Sequence, residues 1–353
     1  MTVKCPGAIK MSLKYRNLML SYSSAVQERS PLYSHIAKRM ADDKELKVIL
    51  TPLLITSQSL PLFMSSVLCT LYSHDSELRD YYANFSEEVK TFDDHGYEVF
   101  KSFIIEHIDS IVFMTNNGDL KKNIVERSAV LVPIFNRIVK EAGCDRFNVI
   151  EIGSKAGLLL NYDWYKYTFN KSVTVGEVDD INIKVKLKGY NHSLLKPLEH
   201  PHMKYGISES VIHLENDDDF HWMLSLLYPE EIKRRKNLLK ARNIYLEHPV
   251  NLLEGDELML LEQVLDDLPS DEPIIIFHVH HIKNWSDEKK ASFLSLISRK
   301  ASEKEIYHVH HQLFGTDIFL DFYNEGYLKR EKLANFDLDK LKIEWLHNQP
   351  IKI

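Results

Sequence analysis

Apolar residues in the first part of the chain recur every three or four positions, which is the spacing of one face of a helix. Val99 and Phe103 belong to such a run, and glycine is scarce in this region. Ser30 followed by Pro31 is typical of a helix N-cap and its first turn. We therefore predict that residues 1–145 form an all-helical N-terminal domain.

After residue 146, short runs of β-branched and aromatic residues alternate with amphipathic stretches. This alternation favours an α/β fold, and we predict that residues 146–353 form a Rossmann-like doubly wound sheet with an insertion at about 178–245. A pair of antiparallel strands is expected at its C-terminal end. The predicted strands cover 147–152, 180–188, 204–208, 250–253, 273–279, 306–310, 327–333 and 341–346.

Length, charge and cysteine content narrow the class of protein. The chain has 353 residues, enough for two cores, with 44% hydrophobic and 27% charged residues. A net charge of −7 argues against broad binding to nucleic acid. The three cysteines are far apart and form no Cys-x-x-Cys pair, so neither a disulfide framework nor a thiolate zinc site is expected. No apolar run has membrane-spanning length and no signal peptide is evident, which predicts a cytoplasmic protein without membrane partners.

A glycine loop follows the first predicted strand. The strand ends near Glu151, and Gly153, Ser154 and Gly157 follow before an expected apolar helix. Such a loop lets backbone N–H groups approach a ligand, and a helix N-terminus adds partial positive charge. The spacing Glu-x-Gly-x-x-x-Gly suits the first motif of class I S-adenosylmethionine methyltransferases, although Lys155 replaces a further glycine of that motif. The alternative is a plain strand–turn–helix whose glycines provide positive φ angles.

A tetrapeptide rich in histidine occurs twice, at 278–281 and at 308–311. Both copies end predicted strands that we expect to be adjacent, and alternation places the first and third residue of each copy on one face. One interpretation is a neutral histidine acting as a general base. A second is metal ligation, and a third is that these are hydrogen-bonded strand-end residues without a shared function. A resident metal is not expected; if one binds, the ligands are His278, His280, His308 and His310.

Several separated motifs occur in order along the chain. They are Arg-Ser-Pro-Leu-Tyr at 29–33, Asn-x-Val-x-Arg at 123–127, the loop at 151–158, Asp-x-Tyr-x-Tyr at 163–167, Gly255-Asp256 and Phe277-His278. Together they resemble an uncharacterised bacterial family, domain of unknown function 2332, whose C-terminal half is methyltransferase-like. Two departures are Ser208, where the family usually has an acidic residue, and Leu159, where it usually has asparagine.

The resemblance implies a class I methyltransferase-like fold and S-adenosylmethionine as cofactor. It implies that Asp256 contacts the adenine, while Glu209, next to Ser208, is the nearby substitute for the carboxylate that holds the ribose. His278 is the candidate base, together with His280. The remaining expected contacts are Glu151, Gly153, Ser154 and Gly157 with the cofactor, and Arg29, Tyr33, Asn123 and Arg127 with the substrate.

These observations predict an S-adenosylmethionine-dependent methyltransferase that acts on a small molecule beneath a lid of N-terminal helices. A non-catalytic nucleotide- or cofactor-binding protein and a histidine-rich metal-dependent hydrolase are the alternatives. The sequence has no Gly-x-Ser-x-Gly elbow, no P-loop and no Gly-x-Gly-x-x-Gly loop, which disfavours a serine hydrolase, a P-loop ATPase and a nicotinamide dehydrogenase.

Overall fold

A computed structural model of the chain describes residues 6–346 except 177–180, 191, 193–194, 198–199, 280, 312, 314–316 and 325–326. The chain divides into two compact units. Unit 1 consists of the chain up to Lys122 together with Asn216–Lys236, and unit 2 consists of Asn123–Glu215 and the chain from Asn237. This division places residues 123–145 with the sheet, whereas the sequence analysis assigned them to the helical domain.

The helices of the described residues account for most of unit 1 and for the layers of unit 2. Within these residues no helix has the length and apolar character needed to cross a membrane. In chain order they are α1 Pro6–Val26, α2 Pro31–Asp42, α3 Lys44–Leu50, α4 Ser59–Ser73, α5 Asp94–Glu106, α6 Ile108–Asn117, α7 Leu131–Ala142, α8 Asp217–Ser225, α9 Ile232–Glu247, α10 Glu257–Asp267 and α11 Asp287–Lys300.

Unit 1 is helical, as predicted for the N-terminal region. The hydroxyl of Ser30 accepts a hydrogen bond from the backbone N–H of Tyr33, and Pro31 begins α2, as the sequence predicted. Helix α4 is apolar on nearly every side and is buried, as expected for a helix at the centre of a core. It packs against α6 and α8. The segment that contains α8 therefore completes the core of unit 1, although it lies between strands of unit 2 in the chain.

Unit 2 contains a mixed sheet of eleven strands. Its spatial order is β3-β2-β4-β11-β10-β9-β8-β7-β1-β5-β6. The strands are β1 Asn148–Ile152, β2 Lys166–Phe169, β3 Val173–Val175, β4 Asn182–Lys188, β5 Met203–Ser208, β6 Asn251–Glu254, β7 Ile274–His278, β8 Ile306–His311, β9 Asp317–Asn324, β10 Tyr327–Asp337 and β11 Lys342–Trp345.

Five neighbouring strands of this sheet, β6-β5-β1-β7-β8, are parallel. The order of the strands reverses at β1, since β5 and β6 lie on one side of it and β7 and β8 on the other. β9 and β10 continue the sheet in antiparallel pairs, and β10 pairs antiparallel with β11, which confirms the predicted C-terminal pair.

The far end of the sheet differs from the prediction. β4, which falls within the predicted strand 180–188, pairs in parallel with both β2 and β11. β2, β3 and β9 were not predicted. β2 and β3 have only four and three residues, too few for a clear alternation of apolar and polar side chains.

Helices cover both faces of the parallel strands. β1 and β7 are fully buried, which explains their continuous apolar sequences. On one face Ile276 belongs to a buried cluster with Phe293 of α11. On the other face Phe277 packs edge-to-face against Phe135 of α7. Because the carboxyl ends of five parallel strands lie at one edge of the sheet, the side chains that follow them are brought together there.

Candidate functional site

The pairing of β1 with β7 places two predicted site residues on opposite faces of the sheet. Glu151 is paired with Phe277, so both side chains point toward the α7 face. His278 is the next residue along β7 and contacts Phe293 of α11 on the other face. The predicted cofactor contact Glu151 and the predicted base His278 therefore do not share one cavity. His280 lies outside the described residues.

The glycine loop adopts left-handed backbone conformations, and protein neighbours account for its glycines. Gly153 has a φ of +75°, and a Cβ at this position would overlap the ring of His281. Gly157 has a φ of +68°, and its Cβ would lie 2.8 Å from Val250 Cγ2. Both glycines are thus required by the packing of the protein itself.

The segment after the loop is not the predicted α-helix. Leu158–Trp164 forms a 3₁₀ helix of seven residues, interrupted by non-helical angles at Asn161. Its N-cap residue, Gly157, provides no side-chain hydrogen bond. A short and irregular helix has little macrodipole, so the expected positive charge at its N-terminus is not a strong feature here. The segment instead buries Leu158 and Tyr162 before the chain enters β2.

Lys155 occupies the position of the missing loop glycine and also has a positive φ of +54°. Its ammonium group donates a hydrogen bond to the hydroxyl of Ser210 at 2.5 Å. The backbone N–H of Ile212 donates to the carbonyl of Lys155 at 3.3 Å. Lys155 therefore connects the loop after β1 with the loop after β5.

Two buried serines lie at the carboxyl ends of β1 and β5. Ser154 is 2% exposed and Ser208 is fully buried. Neither hydroxyl has a hydrogen-bond partner among the described residues. Buried hydroxyls are normally paired, so these two are exceptions to that rule.

Asp256 and Glu209, the predicted adenine and ribose contacts, already have structural partners. Asp256 caps α10, where its carboxylate accepts from the N–H groups of Leu258 and Met259 at 3.0 and 2.9 Å. Glu209 is exposed and forms an ion pair of 2.8 Å with Lys289. The cap alone accounts for an aspartate at position 256.

A buried glutamate next to Asp256 was not identified from the sequence. Glu257 is fully buried, and its Oε1 lies 2.6 Å from Nε2 of His281. Its Oε2 accepts a hydrogen bond of 3.0 Å from Lys289. Since His281 also covers Gly153, this Glu–His pair lies directly beside the glycine loop. The only sequence signals were the position of Glu257 after Gly255-Asp256 and that of His281 at the end of the first tetrapeptide.

Glu151 is a buried carboxyl group with a strongly perturbed titration. Burial raises its pKa to about 8, and the charge of Arg127 opposes this effect. Its Oε2 has no hydrogen-bond partner among the described residues. At neutral pH the group is therefore largely protonated and can donate a hydrogen bond. The structure thus brings Glu151 and Arg127, predicted as cofactor and substrate contacts, into electrostatic contact.

The second tetrapeptide meets the first on adjacent parallel strands, as the sequence predicted. His278 is paired with His310, and the ring centroids of His278 and His308 are 5.2 Å apart. The ring centroids of His310 and His308 are 4.7 Å apart. Burial is the largest cause that lowers the pKa of all three imidazoles, so they are neutral at pH 7.

An aspartate from β9 joins these histidines. Asp321 Oδ2 lies 3.3 Å from Nε2 of His310, and Arg330 donates to both carboxylate oxygens at 2.7 and 2.6 Å. Burial opposes ionisation of Asp321, but the hydrogen bonds from Arg330 and His310 prevail and lower its pKa. The sequence analysis missed Asp321 and Arg330.

Two predicted substrate contacts lie in unit 1 and two in unit 2. Arg29 pairs with Glu231 at 3.4 Å. Tyr33 is buried, and its hydroxyl donates to the carbonyl of Met64 at 3.5 Å. In unit 2, Asn123 is half-buried and precedes the 3₁₀ helix that carries Arg127.

A family model described as "Uncharacterized protein conserved in bacteria", domain of unknown function 2332, matches residues 17–345. The chain belongs to this family. No curated protein and no solved structure matches the chain significantly. Membership in this family therefore comes without an assigned reaction, and the chemistry has to be argued from the site.

One of the motifs through which the chain resembles the family has a structural explanation. Asp163 has no exposed side-chain area and accepts two hydrogen bonds from Lys204, at 2.6 and 2.7 Å. The hydroxyls of Tyr165 and Tyr167 donate to the carbonyls of Leu158 and Tyr162 at 2.7 and 2.8 Å. In this member of domain of unknown function 2332, the hydrogen bonds of the motif connect the 3₁₀ helix with β5 and β2.

Proposed function

We propose that this protein is an S-adenosylmethionine-dependent methyltransferase acting on a small molecule, built on a class I methyltransferase-like doubly wound sheet. One observation carries the proposal: the order of the parallel strands β6-β5-β1-β7-β8 reverses between β1 and β7. In open α/β sheets, ligands bind outside the carboxyl ends of the strands at such a switch point. The loop Gly153–Gly157 lies at this point.

The polar groups that line this edge suit the cofactor. The buried hydroxyls of Ser154 and Ser208 have no hydrogen-bond partner among the described residues, and the protonated carboxyl of Glu151 has a donor to offer. In this proposal Ser208 takes the place of the acidic residue that binds the ribose hydroxyls. A hydroxyl forms a weaker hydrogen bond than a carboxylate, so we expect modest affinity.

The base role is assigned to His281 rather than to His278. His278 is 1% exposed and faces α11, whereas His281 lies beside the glycine loop with 11% of its side chain exposed. In this role, Nε2–H of His281 donates a hydrogen bond to the carboxylate of Glu257. Nδ1 then carries no hydrogen and can accept a proton. The cofactor, when bound, supplies an activated methyl group on sulfur. His281 then takes the proton that the attacking oxygen or nitrogen of the substrate loses.

Calorimetric titration of metal-stripped protein with S-adenosylmethionine and S-adenosylhomocysteine tests the proposal. Saturable binding of either ligand is expected, and Ser208→Ala should weaken it about tenfold through the lost hydrogen bond. Ser225→Ala removes a buried hydroxyl of unit 1 and should leave binding unchanged. Folded protein that binds neither ligand would exclude this function.

A non-catalytic cofactor-binding protein is the second candidate, favoured by Lys155 in the loop and Ser208 after β5. It predicts the same titration but no turnover. Incubation with labelled S-adenosylmethionine and a panel of small-molecule alcohols, amines and thiols distinguishes the two. Formation of S-adenosylhomocysteine that is lost in His281→Ala, with cofactor affinity retained, supports the enzyme. Bound cofactor that is recovered unchanged supports the binding protein.

A further inference from the structure

Four polar side chains from three neighbouring strands converge on the face of the sheet that α11 covers. His278 comes from β7, His308 and His310 from β8 and Asp321 from β9. Three of these side chains are fully buried and His278 is 1% exposed. We call these four residues the histidine cluster. All of them belong to unit 2, so the cluster depends on the register of a single sheet.

Two imidazoles of the cluster, those of His278 and His308, lack the hydrogen-bond partners that buried polar groups normally have. Both ring nitrogens of His278 and both of His308 are buried without a hydrogen-bond partner among the described residues. Phe293 closes the cluster from α11, with its ring centroid 5.3 Å from that of His308. Two imidazoles with four buried, unpaired nitrogens beside an aromatic ring are an exception to the rule that buried polar groups are paired.

We propose that the histidine cluster binds one divalent transition-metal ion, with zinc as the first choice. Three imidazoles on one tetrahedral zinc ion, with Zn–N distances of about 2.1 Å, have ring centroids about 5 Å apart. The observed centroid distances are 4.7 Å between His308 and His310, 5.2 Å between His278 and His308 and 6.1 Å between His278 and His310. The potential ligand atoms of His308, His310 and Asp321 also lie within 4.8 Å of one another.

Asp321 and Arg330 complete the arrangement. Arg330 occupies one lone pair on each oxygen of Asp321, and each carboxylate oxygen has a second lone pair. The carboxylate can therefore bind a metal while Arg330 fixes its orientation, as hydrogen bonds from an outer shell commonly do at metal sites. A set of three nitrogens and one oxygen suits zinc and also Fe(II), Co(II) and Ni(II).

This site is independent of the proposed methyl transfer. The histidine cluster faces α11, and Glu151 points to the opposite face of the sheet. Loss of metal binding would leave the cofactor titration unaffected, and failure of that titration would leave the metal site unaffected.

Metal analysis of the purified full chain is the first test, followed by removal of the metal and titration with zinc and cobalt. We expect about one metal ion per chain and, with Co(II), the visible absorption of a tetrahedral site. His308→Phe should abolish both, because it removes one ligand and fills the space with an aromatic ring. The matched control is His202→Phe, since His202 pairs with Glu272 at the opposite edge of the sheet.

A second variant distinguishes loss of metal binding from loss of the fold. Arg330→Lys keeps the positive charge but loses the paired hydrogen bonds, so the site should survive with zinc affinity reduced about 10- to 100-fold. A chain that contains no metal as purified, and that after removal of bound ions binds neither zinc nor cobalt, would overturn the proposal. Retention of full zinc affinity by a folded His308→Phe protein would also overturn it.

Discussion

The glycine loop and the histidine cluster lie at the same end of the sheet, and both stood out in the sequence. In the glycine loop, the glycines have protein neighbours that explain them, His281 at Gly153 and Val250 at Gly157. In the histidine cluster, the ring nitrogens of His278 and His308 have no such explanation among the described residues. The packing of the protein therefore explains the glycines of the familiar motif, but it does not explain the histidines. Unsatisfied buried polar atoms are the stronger indication of a missing ligand.

The largest expected effect concerns the packing of the glycine loop. Gly153→Ala should lower the free energy of unfolding by about 3–5 kcal/mol, through left-handed backbone strain and overlap with the ring of His281. His281→Ala removes the overlap but also the partner of the buried Glu257. Relative to His281→Ala alone, the double variant with Gly153→Ala should therefore lose only the strain, about 1–2 kcal/mol. Urea denaturation measures both. A loss below 1 kcal/mol in the single variant would show that His281 does not fill this space.

Glu151 is a buried carboxyl group at the loop whose Oε2 has no hydrogen-bond partner among the described residues, and it should make stability depend on pH. Its pKa is about 8 in the folded protein and near the ordinary 4.5 when unfolded, so the folded state binds the extra proton between these values. The free energy of unfolding should therefore fall as pH rises from about 4.5 to about 8, by up to about 4 kcal/mol. Glu151→Gln should lack this component.

Urea denaturation of wild type and Glu151→Gln at pH 5 and pH 8 measures this difference. We expect the variant to be the more stable protein at pH 8 and close to wild type at pH 5. Glu262→Gln on α10, whose side chain is 44% exposed, serves as the control. Parallel pH profiles for wild type and Glu151→Gln would mean that the carboxyl group is solvated or paired.

In the absence of metal, a substitution in the histidine cluster should not lower the free energy of unfolding, whereas Gly153→Ala in the glycine loop should lower it. Replacing His308 by Phe removes two buried, unsatisfied nitrogens, so metal-free His308→Phe should match wild type or exceed it by about 1–2 kcal/mol. With zinc present, wild type should become the more stable protein. Thermal denaturation with and without zinc measures both cases. A loss above 3 kcal/mol without metal would mean that the protein itself satisfies His308.

The smallest expected effect concerns Lys155, which occupies the position of the missing loop glycine. Lys155→Gly should raise the free energy of unfolding by at most about 1 kcal/mol, since glycine adopts a φ of +54° without strain but loses more entropy on folding. Ser210→Ala isolates the hydrogen bond to Lys155. Chemical denaturation compares the two. If Lys155→Gly clearly lowers the free energy of unfolding and Ser210→Ala lowers it by the same amount, the hydrogen bond of the lysine stabilises the fold.

Local signals predicted much of the fold correctly. The hydroxyl of Ser30 caps α2 by accepting from the N–H of Tyr33 at 3.3 Å, and Pro31 occupies the first turn of that helix. Both features depend on chemistry within one helix turn, so the sequence specifies them. The buried strands β1 and β7 were recognised from their continuous apolar residues.

Features that depend on distant pairing were not predictable from one sequence. Asp321 and Arg330 become neighbours of His310 only through the antiparallel register of β8, β9 and β10. Contact of His281 with Glu257 likewise joins the end of β7 to the start of α10. The sequence thus identified the histidine repeats but not the residues that complete their surroundings.

The segment Asn216–Lys236 imposes an order of events on synthesis. The part of unit 1 that is translated first lacks α8, whose buried Phe220, Met223 and Leu224 belong to the segment that packs on α4. At ordinary translation rates this segment follows Lys122 by on the order of ten seconds. During that interval α4 carries an apolar surface that α8 does not yet cover, so unit 1 cannot complete its core until this later segment has been synthesised.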